Sequence, residues 1–296
     1  MSKKIKHWNL IVLMLFLNIL IPMSSTILNI KAYNGLDLQG VKVAIYCNAV
    51  SDETLDSRIA LQNMFLWMNA SVENITAAQI REGKLSSYNI FILPGRSESL
   101  SRYEIQDSGV SILLDYIRSG GAYFGVCGGT NFAVRNDVNL FSGSLIPVPG
   151  EVTSPHMVEM RLNTLSKEPY LTGLNESFSI LFWGSTYFYP DQGQQFNTIA
   201  YYGTSNRPGM ITFRYGLGAV FLSSPHGEFE ENSERDGTDE FDYLNDIDSE
   251  WNLYLRVSLW LISVPKDNII LIWLISITCG SLGIGFVLIL KKYRKH

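Results

Sequence analysis

The chain has 296 residues, 46% of them hydrophobic, and a formal charge of -5. That length supports one sizeable core with extensions. The mild acidity, with no basic stripe before the last residues, argues against a nucleic-acid partner. Three cysteines (Cys47, Cys127 and Cys279) exclude a disulfide scaffold or a zinc-finger pattern, and the four histidines (His7, His156, His226 and His296) are scattered, so neither a metal nor a cofactor is expected.

In chain order, Lys3, Lys4 and Lys6 precede an apolar run from Trp8 to Met23. This pattern predicts a signal peptide within residues 1–32, with an uncleaved signal anchor as the alternative. Val41 to Cys47 is apolar and β-branched and predicts a strand. Residues 51–68 carry apolar side chains at helical spacing, with Ser51 and Asp52 as caps. Tyr88 to Leu93 predicts a second strand, running into Pro94-Gly95-Arg96. Tyr103 to Arg118 predicts a helix closed by Gly120-Gly121, after which the chain continues as a third, short apolar strand running into Gly-x-Cys-x-Gly. Strands alternating with helices imply a parallel sheet with helices on both faces.

Beyond Val138 the pattern changes to short strands joined by polar turns, at 145–148, 158–162, 178–183, 198–202, 210–213 and 219–222. A closing helix is expected over 246–263. Glu230 to Asp248 is acidic and reads as a solvated loop, with a calcium site as the alternative, although its carboxylates do not follow the EF-hand spacing. Residues 268–290 are apolar and uncharged, and a basic tail, 291–296, follows. This predicts a transmembrane helix with the C-terminus in the cytoplasm and residues 33–265 as a domain on the extracytoplasmic side. The sequons at Asn69, Asn74 and Asn175 are compatible with export.

The chemistry-bearing stretch is Gly125-Val126-Cys127-Gly128-Gly129, set between a short apolar strand and a segment able to start a helix. Gly-x-Cys-x-Gly there is the pattern of a nucleophile elbow, a tight turn that exposes one side chain. A helix N-terminus behind the sulfur favours the thiolate, the reactive form. A cysteine nucleophile needs a base, and His226 follows a late strand; Glu228, two residues on, is placed to orient it. The Gly128 amide and that of Gly95 or Arg96 are candidates for an oxyanion hole. Trp183, Tyr187 and Phe188, with Tyr201 and Tyr202, are candidates to line a pocket. Cys47 and Cys127 both end expected strands, which also allows a reversible disulfide between them.

These residues resemble class I glutamine amidotransferase domains and, more closely, the family named for the N-terminal domain of biotin-protein ligases. The resemblance rests on Phe91-Ile92-Leu93-Pro94-Gly95-Arg96, the run Gly120 to Thr130, Trp183 to Phe188, Ile199 to Tyr202 and Leu222 to Glu228. It implies a flavodoxin-like α/β fold, here joined to a C-terminal transmembrane helix, and a Cys-His-Glu triad at Cys127, His226 and Glu228. The chain departs from the family pattern at Gly227, where proline is usual, at Gly184-Ser185-Thr186, and in having one glycine before Arg96. The glycine-arginine loop that binds the adenylate in biotin ligases is absent, so biotinylation is not implied. Two functions are expected to compete: a membrane-tethered cysteine hydrolase of a small amide, or an inactive module that binds a ligand or partner on the same fold. Partner proteins are not indicated.

Overall fold

The computed structural model describes residues 37–47, 55–95, 98–166, 169–231, 233–246 and 248–263. Its centre is a nine-stranded sheet in the order β2-β1-β3-β4-β11-β10-β9-β6-β7. Five strands lie side by side and parallel: β2 (Ser71–Ile75), β1 (Lys42–Tyr46), β3 (Ile90–Leu93), β4 (Ala122–Val126) and β11 (Gly218–Ser223). The other four are antiparallel: β10 (Pro208–Tyr215), β9 (Asn197–Tyr202), β6 (His156–Leu162) and β7 (Ser177–Phe182). A separate hairpin pairs β5 (Gly143–Pro147) with β8 (Thr186–Pro190).

Every residue of β3, β4 and β11 is buried. Covered on both faces, these strands read as continuous apolar runs rather than as alternations. The two faces are visible at β4. Phe124 packs edge-on against Phe65 of α1 (Leu55–Trp67), Phe221 of β11 and Tyr254 of α5 (Trp251–Leu261), with centroids 5.4, 4.8 and 5.5 Å away. Tyr123 belongs to the opposite cluster, with Phe91, Phe132 of α4 (Gly128–Val134) and Leu113 and Ile117 of α3 (Glu98–Arg118). Alternation of side chains along one strand thus holds helices to both sides of the sheet. Helix α3 is broken at Gln106, whose φ of 62° is left-handed.

Two strands and one short helix escape sequence reading. Ser71–Ile75 is a polar edge strand with only Ile75 buried. Helix α2 (Ala77–Arg81) is a single turn held by a capping box between Thr76 and Gln79. Thr186–Pro190 ends in a proline, which suits only an edge position.

The expected fold class needs correction. The sheet is mixed rather than parallel, because hairpin-linked strands extend it beyond β11. No helix among the described residues is long and apolar enough to cross a membrane. The expected fold class, an α/β domain with a transmembrane helix, is therefore corrected to a mixed-sheet α/β domain, and the described residues carry no helix that supports the expected membrane location. Residues 1–32 and 268–290, on which the expected leader and span fall, lie outside the described residues. Residues Gly35–Ile262 form one compact unit.

Candidate functional site

Three neighbouring strands, β3, β4 and β11, end at the same edge of the sheet, and each delivers one piece of the site. Gly95 follows β3, Cys127 follows β4, and His226 lies three residues past β11. A Cβ placed on Gly95 would lie 2.9 Å from His226 Cε1, 3.4 Å from Cys127 Cβ and 3.5 Å from Ser57 Oγ. The Cys127 side chain, the His226 ring and the Ser57 hydroxyl therefore surround one glycine that leaves them room.

Cys127 sits at φ 47°, ψ -105° as the residue capping α4, a backbone that non-glycine residues adopt only under strain. Surrounding bonds fix it. Its N–H donates to Ser223 O of β11 at 2.9 Å, and its carbonyl accepts from Asn131 N at 3.0 Å. Close packing behind the turn sets the next residues: a Cβ on Gly129 would fall 2.0 Å from Leu93 O, so only glycine fits. Tyr123 Oη donates to Gly129 O at 2.6 Å, and Thr130 Oγ1 donates to Ser223 O at 3.0 Å. The thiol remains partly exposed while its backbone neighbours are buried.

His226 is 2% exposed and Glu228 wholly buried. His226 Nδ1 bonds Glu228 Oε1 at 3.0 Å. Burial alone would lower the imidazole pKa; the charges of Glu228 and Cys127 outweigh it and push it up to about 10. That shift keeps the ring protonated at neutral pH, with Nδ1 bonded to Glu228 and Nε2 buried without a hydrogen-bond partner among the described residues. His226 N also donates to Leu181 O of β7 at 3.0 Å, which fixes the residue that carries the ring.

Ser57 of α1 escaped the sequence reading. Its hydroxyl donates to Glu228 Oε1 at 2.7 Å and accepts from Gly95 N at 3.2 Å. The signal was its position: Ser57 shares the buried helix face with Ala60, Leu61, Met64 and Phe65, where a polar residue must find partners. Tyr254 was also missed. Its hydroxyl accepts from Gly227 N at 3.2 Å and donates to Ser223 Oγ at 2.9 Å. A Cβ on Gly227 would meet that hydroxyl at 2.8 Å, so the departure from proline follows from the packing of α5.

The remaining expected site residues divide. Trp183, 46% exposed, tilts beside the His226 ring at 5.7 Å between centroids. Tyr187 is buried with the Arg207 guanidinium 5.2 Å from its ring centroid, and Phe188 packs into the core against Phe141 at 5.6 Å. Tyr202 Oη donates to Thr186 O at 3.0 Å, and Thr186 N donates to Ser224 Oγ at 2.7 Å, which ties β8 to the approach to His226. Gly128 opens α4, where a first-turn N–H has no carbonyl within the helix. The Gly95 N–H is taken by Ser57, and Arg96 lies outside the described residues. Cys47 and Cys127 are both thiols. Strand β3 separates β1 from β4, a gap of about 9–10 Å at two sheet spacings, too wide for a disulfide.

The fold and the turn at Cys127 define the class as a mixed-sheet α/β domain with a cysteine at the strand-to-helix turn after β4. Residues 41–144 match the family model described as biotin-protein ligase, N terminal; the match takes in β1 to β4 and Cys127 and stops before His226 and Glu228. No match was found among curated proteins. Among solved structures, similarity extends to a glutamine amidotransferase from Thermotoga maritima, at 9% identity and TM-score 0.48 over 69% of this chain and 83% of that one. A protein from Salmonella typhimurium LT2 described as cytoplasmic is 10% identical, at TM-score 0.48 over 75% and 99%. A β-galactosidase from Bacillus circulans is 13% identical at TM-score 0.41, and there the match covers 63% of this chain but only 28% of that enzyme.

Proposed function

We propose that this domain performs cysteine-dependent acyl transfer on a small amide, releasing the amine and hydrolysing the resulting thioester. The observation that carries this reading is the meeting of Cys127, His226 and the Glu228-bound ring edge around Gly95. Cys127 attacks the amide carbon as thiolate. The Gly128 N–H stabilises the oxygen that gains the charge. The His226 imidazolium gives its proton to the leaving nitrogen, which departs as amine and leaves an acyl-thioester. Neutral His226 then takes a proton from water, whose oxygen attacks the thioester, and the acid leaves with Cys127 restored as thiolate beside a protonated His226. Glu228 holds the ring through Nδ1 and balances its charge, and Ser57 holds Glu228.

The test is a thiol-reactive probe followed by a glutaminase assay on the full chain. Wild type is expected to label at Cys127 and to release ammonia, with Cys127→Ala doing neither. Equal labelling and equal turnover in both proteins would end the proposal. A second reading, a ligand-binding module without turnover, is favoured by the Gly95 amide being engaged by Ser57 rather than open to an oxyanion. Labelling at Cys127 without release of ammonia from any small amide supports it.

A further inference from the structure

The segment between Glu228 and α5 gathers carboxylates that the cysteine chemistry does not use. One oxygen each of Asp246, Asp248 and Glu250 lies within 4.8 Å of the others. One Ca²⁺, which takes oxygen ligands at about 2.3–2.6 Å, spans such a triangle. Crowded acidic side chains alone do not make a site. Here a second observation points to a ligand. Glu250 is 3% exposed, and its Oε1 is buried with no hydrogen-bond partner among the described residues. Glu231, 6% exposed, has an orphaned Oε1 of its own, and its charge interacts with that of Asp246.

A buried carboxylate without a partner is costly when ionised, so it either keeps its proton or holds a cation. The flanking arginines are engaged elsewhere: Arg235 pairs with Glu230 at 2.6 Å, and Arg256 donates to Thr172 O at 2.5 Å. A cavity of about 340 Å³ bordered by Asp248 and Glu250 provides an approach.

We propose that Asp246, Asp248 and Glu250 bind a calcium ion, with Glu231 adding negative charge behind them. The loop is not an EF-hand: counted from Asp246, Trp251 stands where the turn glycine belongs and Val257 where the bidentate glutamate belongs. Instead the ligands occupy alternate residues of the turn leading directly into α5, so the ion would fasten the start of that helix. Tyr254, one turn on, holds Gly227 between His226 and Glu228. The site stands independently of the proposed cysteine chemistry, and either can fail without the other.

The full chain, stripped with chelator, is titrated with Ca²⁺ and separately with Mg²⁺, followed by calorimetry and thermal melting. Expected are one Ca²⁺ per chain, a rise in Tm of about 5 °C or more at saturating ion, and binding of Mg²⁺ at least about tenfold weaker. Glu250→Gln and Asp248→Asn should abolish the shift. Without calcium, Glu250→Gln should melt no lower than wild type, since it replaces a buried carboxyl group whose Oε1 has no hydrogen-bond partner among the described residues. Absence of heat and shift in wild type, tighter binding of Mg²⁺, or a shift retained in both variants would overturn the assignment. If neither variant folds, calorimetry on wild type alone decides.

Discussion

The two halves of the sheet meet at β11 and do different work. On one side, parallel strands β3, β4 and β11 stop together at one edge, and the chain leaves each of them carrying Gly95, Cys127 or His226. On the other, antiparallel strands turn back through short loops; they contribute mass, core and a brace for His226. Parallel neighbours must end on the same side, so their exits crowd together, and a ligand fits outside those carboxyl ends. Hairpin strands alternate their exits and assemble no such edge. The proposed chemistry and its support therefore fall on opposite sides of one strand.

Substitutions can break that division. The largest effect is expected on the parallel side: Cys127→Ala should lower any turnover by about 10³-fold or more. Glu228→Gln, which leaves the imidazole without its charged partner, should cost about 10²–10⁴-fold in kcat. On the antiparallel side, Met160, fully buried in β6, should behave oppositely. Met160→Ala is expected to cost about 2–5 kcal/mol of stability by denaturant melting, while thiol labelling well below Tm stays unchanged. A labelling defect there would dissolve the division.

The pH dependence sharpens it. His226 is raised from 6.5 to about 10, so the folded state binds its proton more tightly than the unfolded chain. The stability it contributes is full below about pH 6.5 and is lost as pH rises through about 10. Melting curves across that window should fall more steeply for wild type than for Glu228→Gln. The smallest effect is expected from Ser57→Ala, which removes one hydrogen bond to a charged group and should lower kcat about tenfold, with little change in KM.

Much of this was legible in the chain. The elbow around Cys127 could be read because its glycines serve local geometry, as the 2.0 Å approach of Leu93 O to a Cβ on Gly129 makes plain. The order of Gly95, Cys127 and His226 was legible for the same reason: each follows an apolar strand. Ser57 and Tyr254 were not, because their roles depend on partners 171 and 27 residues away, Glu228 and Gly227. The mixed sheet was missed because alternation of strands and helices describes only the first half. Phe188 was offered to a pocket and went to the core, since an aromatic residue on a half-buried hairpin carries no mark of which face it takes.

The bridge between Leu181 and His226 has a wider bearing. In sheet order β7 is the far margin, four places from β11, yet it touches the chain just beyond β11. The antiparallel strands must therefore curl round like a cupped hand until the outermost finger rests on His226. A disturbance at that margin would reach His226 directly through the Leu181 carbonyl that holds its N–H.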